Sequence, residues 1–188
     1  MEACLDKFNF RARVLPVYLT LAPAVLLVAA LVPAGLELLL SGAAAVVFVP
    51  ISFLLSQVGA DFGKRLEKRL WRDWGGPPTT RFLRHNSQEF NEVTRDRVHE
   101  KLRSFGLKVP TREEQQEDER KADKYYESCT EELIRRTRDK KEFPLVFKGL
   151  VEYNFRRNLL GLKPFGVLLA LGSLAGTLCS SYASWSQD

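Results

Sequence analysis

From Val14 to Pro33 the sequence VLPVYLTLAPAVLLVAALVP carries no charge, and from Leu36 to Gly59 LELLLSGAAAVVFVPISFLLSQVG carries only Glu37. At a rise of about 1.5 Å per residue, roughly 20 helical residues match a hydrocarbon core about 30 Å thick. Backbone amides have no water to bond in hydrocarbon, so each run is expected to be a helix that crosses a bilayer. A third run, Pro164 to Trp185 (PFGVLLALGSLAGTLCSSYASW), is also uncharged and long enough, although richer in Gly and Ser. Pro16, Pro23 and Pro50 do not oppose this reading, because neighbouring helices satisfy the carbonyls that proline frees.

Average composition conceals this pattern: 45% hydrophobic and 27% charged would suit a soluble domain, but the apolar residues lie at the two ends and the charges in between. The N-terminal MEACLDKFNFRAR contains Glu2 and Asp6 among its basic residues and precedes a long apolar run, so an uncleaved first span is expected rather than a signal peptide. The first two runs are expected to form a helical hairpin turning at Pro33, Ala34 and Gly35. Glu37 lies close enough to that turn to reach the outer interface; a functional carboxylate within the span is the alternative.

Basic residues near span ends stay on the cytoplasmic side. Lys7, Arg11 and Arg13 precede the first run, Lys64, Arg65, Lys68, Arg69 and Arg72 follow the second, and Arg156, Arg157 and Lys163 precede the third. All three clusters place the N-terminus and the middle of the chain inside and the C-terminus outside. The expected fold class is therefore all-α: a membrane protein with three transmembrane helices and a helical cytosolic region between the second and third. The expected organisation is a cytosolic N-terminus (1–13), a transmembrane hairpin (14–59), a helical cytosolic region (60–163), a third transmembrane helix (164–185) and an external tail (186–188).

The stretch Asp61 to Lys163 holds 25 of the 28 basic and 19 of the 23 acidic residues, a surplus of six positive charges. Much of that surplus adjoins the membrane, where each cation near anionic lipid contributes about 1 kcal/mol. Lipid headgroups account for the basic character, and no nucleic-acid motif accompanies it. Lys64, Arg65, Lys68, Arg69, Arg156 and Arg157 are the expected lipid-facing cluster.

Helical periodicity runs through the whole middle region. Phe62, Leu66, Leu70 and Trp74 form one stripe that extends the second span, ending at Gly75, Gly76, Pro77 and Pro78. Thr79 or Thr80 is placed to cap the next helical segment. A helix is expected from Ser87 to Phe105, capped by Asn86 or Ser87 and closed by Gly106. Thr111 and Glu114 have the spacing of a capping box that opens a further helix toward Asp139, its charged first half projecting into solvent or toward another subunit. A last helix comes after Pro144, with a break at Gly161 and Pro164 before the third span.

No catalytic or metal motif is visible. His85 and His99 fit no metal pattern, and Cys4, Cys129 and Cys179 lie in three separate regions. Phosphate-binding and nucleophile-elbow motifs are missing. Arg81 to His85 and Arg95 to His99 each read R-x-x-x-H, one residue shorter than the R-x(4 to 6)-H of HEPN ribonucleases. The chain is expected not to be an enzyme and to need no cofactor. The concentrated stretch WRDWGGPPTTRFLRH reads as an elbow between helices, with Arg81, Arg84 and His85 as the candidates to contact an anionic ligand or lipid headgroup. In the third run Gly166, Ala170, Gly172, Ser173, Gly176, Thr177 and Ser180 recur as small residues, a pattern that lets helix backbones approach or lines a pore between subunits. The partner is either the Gly42 to Ala45 segment of the second span or a neighbouring subunit.

The segments LWRDWGGPPTTRFLRH and EFPLVFKGLVEYNFRRNLLGLKPFG resemble those of small prokaryotic multi-pass membrane proteins encoded near anti-phage defence systems. The resemblance covers about forty residues of the chain. It implies a location in the cell inner membrane and a homo-oligomeric effector that forms a pore or perturbs that membrane in antiviral defence. On that implication the cytosolic helices respond to a soluble defence protein or a nucleotide signal. The alternative is a non-catalytic membrane anchor or scaffold that recruits a soluble partner enzyme.

Overall fold

A computed structural model describes residues 7–31 and 42–185, with side chains for all of these except 7, 42–45 and 183–184. The expected hairpin turn, Glu37, the tail and the side chains of the Gly42 to Ala45 segment lie outside the described residues. All regular structure among the described residues is helical: α1 (Lys7–Asn9), a π-helical turn (Phe10–Val14), α2 (Leu15–Leu31), α3 (Gly42–Asp73), α4 (Pro78–Leu83), α5 (Glu92–Ser104), α6 (Arg112–Glu117), α7 (Glu119–Arg136) and α8 (Pro144–Trp185). Among the described residues, three helical stretches are long and apolar enough to cross a membrane. The chain divides into two units, one built from residues up to Glu67 and from Lys148 onward, the other from Lys68 to Phe147.

The first unit is a three-helix arrangement whose register is readable from its contacts. Along α8, Asn158 meets Ala12 of the π-helical turn, and Gly166 and Gly176 meet Thr20 and Leu27 of α2, so α2 and α8 run parallel. Along α3 and α8, Gly59 meets Leu162, Gly63 meets Gly161 and Glu67 meets Arg157, so α3 runs against α8. The closest approach is backbone to backbone. A Cβ on Gly161 would lie 2.5 Å from the Gly63 amide nitrogen and 2.8 Å from the Gly59 carbonyl oxygen. Without side chains between them the helices gain extensive dispersion contact, the force that joins helices where lipid removes the hydrophobic drive. Phe62 and Phe165 then meet edge to face with centroids 5.5 Å apart.

Large apolar side chains such as Leu26, Val46, Leu168 and Leu178 point outward, each more than 60% exposed. In water that surface would drive association; in a bilayer it is the lipid-facing side. Two of the inward hydroxyls bond their own helix, Thr20 donating to the Pro16 carbonyl at 2.8 Å and Ser56 to that of Phe53 at 2.7 Å, whereas the buried Ser52 hydroxyl has no partner among the described residues. The break expected at Gly161 and Pro164 is not found, for α8 is unbroken from Pro144 to Trp185. Gly161 is there for the crossing with α3, and Pro164 lies within the helix without ending it.

The second unit has its own core of Leu83, Leu102, Val109, Ala122, Tyr126 and Cys129. Helix α5 starts five residues later than the periodicity predicts, because Asn91 accepts the Thr94 amide at 2.8 Å and caps it. The preceding Phe90 instead packs on Phe82, ring centroids 5.6 Å apart, which keeps that segment out of the helix. Gly106, at φ 78°, ends the α5 segment in the left-handed conformation as its position implies. Thr111 and Glu114 form the expected capping box of α6. The single helix expected from there to Asp139 is two: Asp118 adopts an extended conformation and caps α7 through the Lys121 amide at 3.0 Å. That interruption lets both halves pack through Gln115 on α6 and Ala122 on α7, which are buried, while the charged side chains between 112 and 121 stay exposed to solvent.

Candidate functional site

The stretch Trp71 to His85 forms the elbow that joins α3 to α4. Gly76 donates its amide to the Trp71 carbonyl at 2.7 Å and Gly75 to that of Arg72 at 3.2 Å, closing the end of α3. Gly75 and Gly76 have φ of 79° and 132°, values that a residue with a Cβ adopts only at a cost, so the paired glycines are what permit this reversal. Pro77 and Pro78 then open α4, since a helix start needs no donor from them. Neither Thr79 nor Thr80 caps it: Pro77 holds the cap position and the Thr80 hydroxyl is buried without a partner among the described residues.

Arg84 clamps this elbow. Its Nε and Nη2 donate to the two carboxylate oxygens of Asp123 at 2.9 and 2.7 Å, Nη2 also donates to the Gly75 carbonyl at 2.8 Å, and Nη1 pairs with Glu119 at 3.0 Å. The planar fork of arginine matches a carboxylate with two parallel bonds, a geometry that lysine lacks. The hydrogen bond to Asp123 raises the arginine pKa against the opposing effect of burial. Arg84 is therefore engaged within the unit, with α7 as its anchor.

His85 donates from Nε2 to the Pro110 carbonyl at 2.9 Å, and its amide donates to Gln115 Oε1 at 2.8 Å. His99 donates from Nε2 to the Leu83 carbonyl at 2.7 Å. A carbonyl only accepts, so both imidazoles carry their proton on Nε2. The two rings meet edge to face at 4.8 Å, and Tyr126 stacks on His99 at 6.2 Å. Burial pushes His99 below the ordinary histidine value, with His85, Arg103 and Arg95 acting in the same direction. Burial also pushes the Tyr126 phenol up to about 12, and that phenol donates to Gln115 Oε1 at 3.0 Å. Gln115 thus accepts from His85 and Tyr126 while its own amide donates to Asn86 at 3.2 Å, making it the centre of the network.

Beside it lies a polar pocket of about 340 Å³, lined by His85, Asn86, Arg112, Gln115, Gln116 and Glu119. Of the three residues expected at an anionic ligand, Arg84 and His85 hold internal bonds, whereas the half-buried Arg81 has no side-chain partner among the described residues. In the second R-x-x-x-H pair, Arg95 and His99 are both buried. Among the described residues no group of three His, Cys, Asp or Glu is placed to hold a metal ion.

The expected lipid-facing cations divide as well. Lys64, Arg65, Lys68, Arg69 and Arg156 are exposed. Arg157 turns inward, pairing with Glu67 at 3.2 Å and donating to Asn154 at 2.7 Å, and the Tyr153 phenol donates to the same Glu67. The small residues of the third run also separate. Gly166 faces Thr20 and Gly176 faces Leu27, where an added Cβ would lie 3.5 and 3.3 Å from them respectively, so α2 is their partner. Ser173 and Thr177 are half-buried, and Ala170, Gly172 and Ser180 are exposed. The contact of Gly59 and Gly63 with Gly161 has a sequence signal, the G-x-x-x-G spacing of GADFG at the junction of the apolar run and the basic cluster. Comparison with protein-family models, curated proteins and solved structures gave no match for this chain.

Proposed function

We propose that the chain is an integral protein of the cell inner membrane, with its N-terminus and the unit 68–147 in the cytosol and its C-terminus outside. In this reading the cytosolic unit receives a signal, from a soluble defence protein or a nucleotide, and the membrane unit answers as part of a homo-oligomeric effector that perturbs the membrane in antiviral defence. The observation that carries the coupling is the way the chain passes between units: it crosses at Glu67 within α3 and at Lys148 within α8, both times in unbroken helix. Helices transmit displacement where loops absorb it, so a shift in either unit has a direct path to the other. The elbow clamp of Arg84 and Asp123 lies immediately beyond the end of α3, where such a shift would begin or end. The permeabilising output itself comes from the resemblance to defence-associated membrane proteins.

One observation favours a second reading, a non-catalytic anchor that recruits a soluble partner enzyme. The cavity enclosed by α2, α3 and α8 is about 250 Å³ and lined by apolar groups including Val17, Leu55, Leu162 and Phe165. An apolar interior gives ions no route through one copy, so a conduit would need several. Phage-infected cells expressing the chain and loaded with a potential-sensitive dye separate the two. The effector reading expects depolarisation that depends on infection and on the chain; an unchanged potential, with a soluble protein co-purifying with the chain, would overturn it in favour of the anchor.

A further inference from the structure

Between α2 and α8, on the outer surface of the membrane unit, lies a groove of about 520 Å³. Its floor is apolar, formed by Leu19 and Pro23 from α2 and by Gly166 and Ala170 from α8, and its lining also includes Arg156 and Lys163. The volume falls within the roughly 300–1,000 Å³ of small-molecule sites. Both cations are exposed, and neither side chain has a partner among the described residues, in contrast to Arg157, which Glu67 engages. They are seven positions apart, about two turns or 10 Å along one helix face, a gap that two long side chains close onto one anion. Beyond Lys163 the α8 side of the lining carries no charge, through Gly166, Val167 and Ala170, and Leu19, Thr20 and Pro23 complete it from α2.

We infer that this groove binds one anionic glycerophospholipid, with its phosphate between Arg156 and Lys163 and an acyl chain along Leu19, Pro23, Gly166 and Ala170. The occupant is set by the order of chemistry along α8: cations first, then an uncharged trough, the same order that a phospholipid presents from headgroup to chain. Two unpaired cations select a headgroup with net negative charge over a zwitterionic one, whose ammonium they repel. The site rests on the reading of the chain as a membrane-spanning protein.

Native mass spectrometry of the detergent-purified full chain, given phosphatidylglycerol or phosphatidylcholine with the same acyl chains, tests this directly. One phosphatidylglycerol per chain is expected, at occupancy at least tenfold above phosphatidylcholine. Each cation accounts for about a fivefold preference, so R156Q/K163Q should lower retention about thirtyfold, while K124Q, outside the groove, leaves it unchanged. A170F fills the trough with both charges kept and should also release the lipid, which separates a shaped site from diffuse attraction. Equal retention of the two lipids by the wild-type chain overturns the proposal without reliance on any variant; so does a wild-type preference in folded R156Q/K163Q, or a second copy of the chain in place of lipid. Extraction of the chain from membranes by alkaline carbonate would instead overturn the membrane-spanning reading beneath it.

Discussion

Asn158 of α8 donates its side-chain amide to the main-chain carbonyl of Ala12 at 2.7 Å, and both residues are almost wholly buried. Ala12 is four residues before Pro16, so its carbonyl is the one for which proline supplies no helical N–H. The π-helical turn Phe10–Val14 relieves the clash between the proline ring and that carbonyl, and Asn158 supplies the missing donor. A proline in one helix is thereby answered by an asparagine 146 positions away in another.

Asn158→Ala should therefore cost roughly 1–2 kcal/mol, the loss of a buried hydrogen bond that leaves an orphaned carbonyl. Pro16→Ala restores the N–H, so the same substitution in that background should cost less. Thermal unfolding of the four proteins in one detergent measures the coupling; additive effects would dismiss the link between Pro16 and Asn158.

Gly161→Ala should destabilise the first unit by about 3 kcal/mol, since its Cβ would collide with the α3 backbone, which no rotamer change relieves. Gly172→Ala has open space around it and should fall within about 0.5 kcal/mol of the wild type. Gly172→Leu is also the cleaner probe of self-association. Gly176 already faces Leu27 of its own chain, so only the former reports on contacts between copies. An unchanged particle size for Gly172→Leu in detergent would count against an oligomer joined through this face.

Arg84→Met should loosen the elbow, removing four contacts at once and leaving Asp123 unpaired, at a cost of about 2 kcal/mol. Arg84→Lys should recover little of that, for an ammonium cannot span both carboxylate oxygens and the Gly75 carbonyl together. Faster chymotryptic cleavage at Trp71, Trp74 or Phe82 in both variants is the expected readout. Wild-type resistance in the lysine variant would show that charge alone suffices.

Stability of the unit 68–147 should decline as pH falls below about 6.5, the ordinary histidine value. His99 has a folded pKa below that value, so in this window the unfolded chain takes up a proton that the folded chain resists, and acid favours unfolding. The decline should level off once pH passes the depressed folded value. His85, Arg95 and Arg103 act in the same direction as burial, and the hydrogen bond to the Leu83 carbonyl opposes them without reversing the sign. Glu132, held down to about 2 by Arg135 and Arg136, acts only in stronger acid. His99→Gln, with an amide able to donate to Leu83, should flatten the profile between pH 7 and 5; an unchanged slope would assign the transition elsewhere.

The helices were legible in the sequence wherever periodicity was strong, as along the Phe62, Leu66 and Leu70 stripe of α3. Boundaries were less so. Asn86, Ser87 and Asn91 are all competent caps, and the choice among them fell to Phe90, whose ring is held by Phe82 outside the helix. Asp118 looked like one charge among many until packing required a break there. Arg84 and Arg157 read as free surface cations because their carboxylate partners, Asp123 and Glu67, are 39 and 90 positions away.

The sequence by itself determined that the regular structure among the described residues is helical, with three segments whose apolar length exceeds what a small soluble core could bury, since both properties arise from local composition and backbone hydrogen bonding. Only the tertiary structure decided which glycines bring backbones together, which cations are neutralised and which stay open to an anion. Those outcomes depend on what lies opposite each residue in space, and a lone sequence carries no record of that.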